Sequence, residues 1–174
     1  MSQEWIFALA PVPLVSAAGL LLFAALHDIV ARTVPNGVSV LLALTGLGVR
    51  IMDNNMVIGL VAAAAVFLSA AICWRRGWLG GADVKLMGAA TLAAPSGRAL
   101  AFVVAMSVSG SVIAVLYLAG GWVARRWRRH DRPLSGKPAS FVARAARAEL
   151  WRLRRGGSLP YACAIAAGFL LIQF

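Results

Sequence analysis

Six apolar runs divide this chain almost from end to end, and no other feature limits its fold as much. They cover 5–26, 35–52, 56–74, 84–94, 99–122 and 159–174, separated by short polar breaks and by one long basic stretch at 123–158. A helix needs about 20 mostly apolar residues to cross bilayer hydrocarbon. The 174 residues therefore hold six crossings, one sizeable loop and no second domain. Composition agrees: 61% of the residues are apolar and 13% charged, where soluble domains have about 45–50% and about 25%. Disordered, collagenous and soluble globular folds are excluded. The expected fold is an all-α integral membrane protein, one embedded domain over 1–174.

Charge orients the spans. The first run starts with Glu4 as its only early charge and no Lys or Arg, so it reads as a span and not as a signal peptide. The fourth run is short, and topology decides its reading. With six crossings, Arg32, Arg75, Arg76, Lys85 and the eleven basic residues between Arg125 and Arg155 share one side. Only Arg50 and Arg98 fall on the other. That asymmetry marks the crowded side as cytoplasmic and puts both termini outside. A re-entrant fourth run would separate the long loop from Arg32, Arg75 and Arg76. Trp74, Trp78, Trp122, Trp127 and Trp151 then lie near the cytoplasmic interface, as belt residues do.

The formal net charge of +11 is concentrated in the long loop, which reads as a membrane-surface segment and not as a nucleic-acid domain. Val142, Ala145, Ala146, Leu150 and Leu153 share one helical face, with Arg144, Arg147, Arg154 and Arg155 away from it. This is the pattern of an interfacial helix lying on anionic lipid headgroups. Cys73 and Cys163 stand singly in apolar runs and imply neither a metal site nor a disulfide.

Acids within a membrane protein carry the chemical information, because an Asp at the centre of a span costs about 2.5–3.5 kcal/mol. Glu4, Asp53, Asp131 and Glu149 fall in the terminus, a turn or the basic loop, where water accounts for them. Asp28 closes the first span and Asp83 opens the fourth, at the same expected depth. Two carboxylates from different helices at one level suit aspartyl hydrolysis: one ionised to activate water, one protonated to polarise the scissile carbonyl. Close approach drives their titrations apart, and the pair owns both steps. Taken singly, Asp28 reads equally as a turn cap and Asp83 as a helix cap. Two other classes also use such acids or such a fold: a transporter or proton relay, and a non-catalytic scaffold subunit of a pilus or secretion assembly. Relays usually hold their acids near the midplane and show internal repeats, whereas both acids here sit at one edge.

The surroundings of the two acids narrow the choice. Asp28 is followed by Arg32 and by Pro35-Asn36, Asp83 is preceded by Gly80-Gly81-Ala82 and followed by Lys85, and the last run opens with Pro160-Tyr161. In these motifs, in this order, the chain resembles the type IV prepilin leader peptidases, membrane aspartyl proteases with a GxGD-type motif. The likeness is greatest to the short branch that processes Flp or tight-adherence pilins. The resemblance implies that Asp28 and Asp83 are the catalytic pair. It also implies that Pro35-Asn36 follows the first aspartate, and that Pro160 and Tyr161 flank the cavity. Ala82 stands where the motif has its second glycine. Longer members carry a cysteine-bearing insertion that accompanies methylation of the new pilin terminus. This chain has no such segment, so the resemblance implies cleavage without methylation and without cofactor or metal. It further implies a prepilin substrate, the bacterial inner membrane, and contact with pilus assembly machinery.

Other residues read more plainly. Lys85 faces away from Asp83 and suits snorkelling to headgroups better than a substrate contact. Arg32 could pair with Asp28 if the first helix continues, or anchor the cytoplasmic side. His27 reads as a solvated interface residue. Tyr161 serves either the dyad or an aromatic belt.

Overall fold

The computed structural model describes residues 11–95, 97–126 and 159–173. Among them every regular element is a helix: α1 (Pro11–Ala31), α2 (Asn36–Met52), α3 (Met56–Arg75), α4 (Gly81–Ala93), α5 (Ala99–Arg126) and α6 (Tyr161–Leu171). The long basic loop, its expected interfacial helix and the start of the first apolar run lie outside the described residues.

Local chemistry sets the helix ends. Pro35 is the N-cap of α2, its ring pre-setting φ for the turn that follows. At the end of α3, Gly77 takes a left-handed φ of 77°. Its N–H donates to the Trp74 carbonyl, and the Trp78 N–H donates to the Cys73 carbonyl. This Schellman arrangement satisfies carbonyls that a helix end leaves open. α4 stops at Ala93 because Ala94 precedes Pro95 and is held extended, at φ −64° and ψ 148°, where the proline ring does not clash.

Three helix ends run about three or more residues past the expected apolar runs. α1 continues through Asp28 to Ala31, α4 begins at Gly81 so that Asp83 lies inside its first turn, and α5 reaches Arg126. Hydropathy sees only where apolar residues stop, whereas backbone hydrogen bonding continues the helix into the polar flank.

α4 is the central element. Val84, Leu86 and every residue from Gly88 to Ala93 are buried, and α1, α2, α3 and α6 all pack on it. α5 lies outside, against α6. There Gly168 lets α6 approach the α5 backbone, since a Cβ at 168 would stand 2.6 Å from Met106 Cα. Leu21, Leu42, Leu86, Ile165, Phe102 and Phe169 fill the core, the two phenylalanines meeting edge to face at 6.3 Å. The outward faces are apolar as well: Val57, Ile58, Val61 and Leu68 on α3, and Leu100, Val108, Val115 and Leu118 on α5, are all exposed. A soluble protein does not present such a surface; lipid covers it. α1, α3 and α5 are long and apolar enough to cross a bilayer, and α2 and α6 are shorter apolar helices.

Arg50 sits on α2 at the end of the bundle away from Asp28 and Asp83, and it is buried to 3% exposure. Its Nε donates to the Leu92 carbonyl at 2.9 Å, and Nη2 donates to the carbonyls of Thr91 (3.4 Å) and Ala94. A guanidinium thus caps the C-terminus of α4, where the last carbonyls lack helical partners and the helix dipole is negative. Gly59 on α3 leaves the space, for a Cβ there would lie 2.3 Å from Arg50 Cδ. Arg98 does the same for α6, donating to the Ile172 carbonyl.

Candidate active site

Asp28 belongs to the last turn of α1 and is buried, with 8% exposure. The helix stops three residues later. Arg32 takes a left-handed φ of 55°, and its N–H still donates to the Asp28 carbonyl at 2.9 Å. A side-chain-bearing residue at positive φ costs on the order of 1 kcal/mol, and here that strained turn directly follows Asp28. His27 secures the same turn: its Nδ1–H donates to the Thr33 carbonyl at 2.6 Å. The sequence suggested a solvated interface His27; the ring remains partly exposed and makes this bond besides.

Asp83 is not the N-cap of its helix. Gly80 holds that position in extended conformation, and Asp83 stands three residues on, where an acidic side chain can reach back to the capping N–H. The Gly80 N–H donates to the Asp83 carboxylate. Only glycine leaves room for this contact, since a Cβ at position 80 would sit 2.7 Å from Asp83 Oδ2. Ala82 is helical and has no positive φ. The second glycine of the motif is therefore not needed for its backbone freedom, and a methyl is accommodated there.

Asp28 and Asp83 line one cavity of about 540 Å³ at the shared end of α1, α4 and α6. Its wall is completed by Arg32 to Val34, by the α3–α4 connection from Gly77 to Gly80, and by Leu159 and Tyr161. Asp83, ahead of the apolar run of α4, titrates near pH 6, up from an ordinary 3.8. Burial away from water is the largest cause, and the Asp28 charge adds to it; the Gly80 N–H opposes both by a smaller amount. The site therefore favours a protonated carboxyl beside a second carboxylate, the arrangement that like charges in one cavity enforce.

The remaining motif residues divide between the cavity and its supports. Gly80, Gly81, Ala82, Arg32 and Tyr161 line the cavity. Pro160 is the N-cap of α6 and aims Tyr161 at it. The Arg32 guanidinium donates to the Tyr117 hydroxyl at 3.1 Å and lies over the Tyr117 ring, so it ties α1 to α5. Lys85 donates to Asn36 Oδ1 at 3.0 Å. This joins the Pro35-Asn36 motif to the start of α4 and gives Lys85 a defined protein partner. Pro35 and Asn36 themselves lie beside the cavity, not in it. Sequence reasoning missed Tyr117 and the Gly77–Leu79 segment. The latter had a visible signal, since Arg75-Arg76-Gly77 is a helix-stop pattern; Tyr117 had none. Among the described residues no three His, Cys, Asp or Glu side chains cluster as metal ligands would.

Fold and site together define a class: an all-helical membrane protein whose bundle carries a paired-carboxylate cavity at one end. Its sequence places it within that class. Residues 15–115, a stretch containing both aspartates, match the model of the type IV leader peptidase family. The chain belongs to that family and is a leader-peptidase-like protease. Comparisons with curated proteins and with solved structures give no match.

Proposed function

We propose that the chain is a membrane aspartyl endopeptidase that removes the basic leader of a type IV, Flp-like prepilin at the cytoplasmic face of the bacterial inner membrane. The observation that carries this reading is the single cavity lined by Asp28 and Asp83. An ionised carboxylate of the pair takes a proton from water as the water oxygen attacks the scissile carbonyl. The protonated partner, whose proton the surroundings of Asp83 favour, donates to the carbonyl oxygen. Collapse of the tetrahedral intermediate breaks the C–N bond. The amine leaves with a proton from the first carboxyl, and the second regains its own. Gly80 orients Asp83, and Arg32, braced on Tyr117, holds the strained turn after Asp28.

The cut falls just before the pilin's hydrophobic helix, so the peptide bond must be near the membrane surface where water enters. Six crossings with both termini outside bring the cavity to the cytoplasmic side, and the charge distribution supports that orientation. The test is coexpression with candidate prepilins, read as the mobility shift of leader removal. Asp28→Asn and Asp83→Asn should each abolish the shift while the protein still inserts. Substantial cleavage by either variant would remove the pair from the mechanism.

A further inference from the structure

On the flank of the bundle next to the candidate active site, α2, α3 and α4 leave an open groove of about 530 Å³ that the proposed peptidase mechanism does not use. Its walls are apolar and include Ala43, Ala64, Phe67, Gly88 and Leu92. From Lys85 to Leu92 it descends about 10 Å along α4, at 1.5 Å per residue. Its rim is different. Asn36 and Lys85 stand there, both exposed, with the ammonium donating to Asn36 Oδ1. That bond decides the orientation of the amide: Oδ1 is taken by the ammonium, so the Nδ2 hydrogens are presented to the surroundings. Lys85 has three N–H donors and spends one on Asn36. The rim thus offers two ammonium hydrogens and two amide hydrogens, with a net positive charge and no carboxylate among the groove's lining residues.

We infer that this groove is a binding site for an anionic phospholipid, with the phosphate on Lys85 and Asn36 and an acyl chain along the α3–α4 wall. Charge complementarity selects the occupant. A groove facing the bilayer is filled by lipid in any case, and a cation at headgroup level favours the anionic kind by about fivefold over a zwitterion. A prepilin leader is itself basic, and Lys85 would repel it. Occupancy also bears on the neighbouring chemistry, because Lys85 is two residues from Asp83. A bound phosphate would neutralise a positive charge at the very edge over which a basic leader must pass.

The test uses the full chain purified in detergent, titrated with phosphatidylglycerol or phosphatidylcholine and read by native mass spectrometry, so its result does not depend on peptidase activity. Wild type should show a phosphatidylglycerol-over-phosphatidylcholine preference about fivefold greater than Lys85→Gln, the basic stretch at 123–158 contributing equally to both. Ala64→Phe, at an exposed position that fills the groove without disturbing the core, should lower retention of both lipids. Undiminished phosphatidylglycerol preference in Lys85→Gln, or unchanged retention in Ala64→Phe, overturns the site. A photocrosslinker at Val40, an exposed residue of α2 that lines the groove, provides a second measurement in membranes. It should capture lipid; capture of a coexpressed prepilin instead would assign the groove to the substrate helix and refute the inference.

Discussion

Replacing Gly80 with alanine separates the placement of Asp83 from the stability of the fold. The new Cβ would stand 2.7 Å from Asp83 Oδ2, against 3.4 Å for ordinary contact, so the carboxylate must withdraw by about 0.7 Å. The backbone itself objects little. Gly80 is extended at φ −76° and ψ 143°, a region open to any residue, and exchanging glycine for alanine at an N-cap costs on the order of 1 kcal/mol. Reacting groups are far less tolerant: a displacement of about 1 Å costs about a hundredfold in rate. Gly80→Ala should therefore lower kcat/KM on a prepilin by roughly 30- to 100-fold, about 2–3 kcal/mol of transition-state stabilisation, while Tm falls by only about 2–4 °C. Gly81→Ala is the matched control. Its Cβ would meet Trp74 Nε1 at 3.2 Å, and Trp74 is exposed and free to yield, so its activity should stay within a few-fold of wild type. The rates come from purified enzyme in anionic vesicles, with leader removal followed on gels. A Gly80→Ala enzyme within threefold of wild type would refute the argument, because the glycine would then have no part in placing the carboxyl.

Four further outcomes follow from the structure and the charge distribution. Since the Asp83 carboxyl titrates near pH 6 and the reaction needs one protonated carboxyl, kcat/KM should fall about tenfold per pH unit above that value. A flat profile from pH 6 to 8 would count against the shared proton. The linked stability has a definite sign: the folded state binds this proton more tightly than the unfolded one, so Asp83 favours folding most below pH 3.8 and its ionisation erodes stability as pH rises to about 6. Arg50→Met strips the carbonyls of Leu92 and Ala94 of their donor and leaves Thr91 with the Ala94 N–H alone, and should cost about 2–5 kcal/mol in unfolding measured in mixed micelles. A loss below 1 kcal/mol would mean that α4 needs no cap. For topology, cysteine labelling should find Ser135 cytoplasmic and the C-terminus outside; a periplasmic Ser135 would overturn both the six crossings and the cytoplasmic position of the dyad.

Much of the site could be read from the order of residues because its chemistry is costly wherever it occurs. A carboxylate beside an apolar run is conspicuous whatever the fold, and so Asp28 and Asp83 were legible before any contact was known. Gly80 was legible as a glycine next to Asp83, but its task was not. That task is clearance for a carboxylate three residues on in the same turn. Arg50 read as one of two charges on the sparse side. Its burial at the end of α4 depends on a contact some 40 residues distant in sequence and on a notch at Gly59 from a third helix.

By itself, then, the sequence determined the all-helical membrane character, the apolar runs and the identity of the two acids, because hydrophobic transfer and charge desolvation are properties of single residues summed over short windows. The tertiary structure decided which side chains meet. It brought Asp28 and Asp83 into one cavity, turned Lys85 to Asn36, sent Arg32 to Tyr117 and put Arg50 under α4. Those outcomes depend on which helices become neighbours and at what height. Packing of whole helix faces sets that, and no local window contains it.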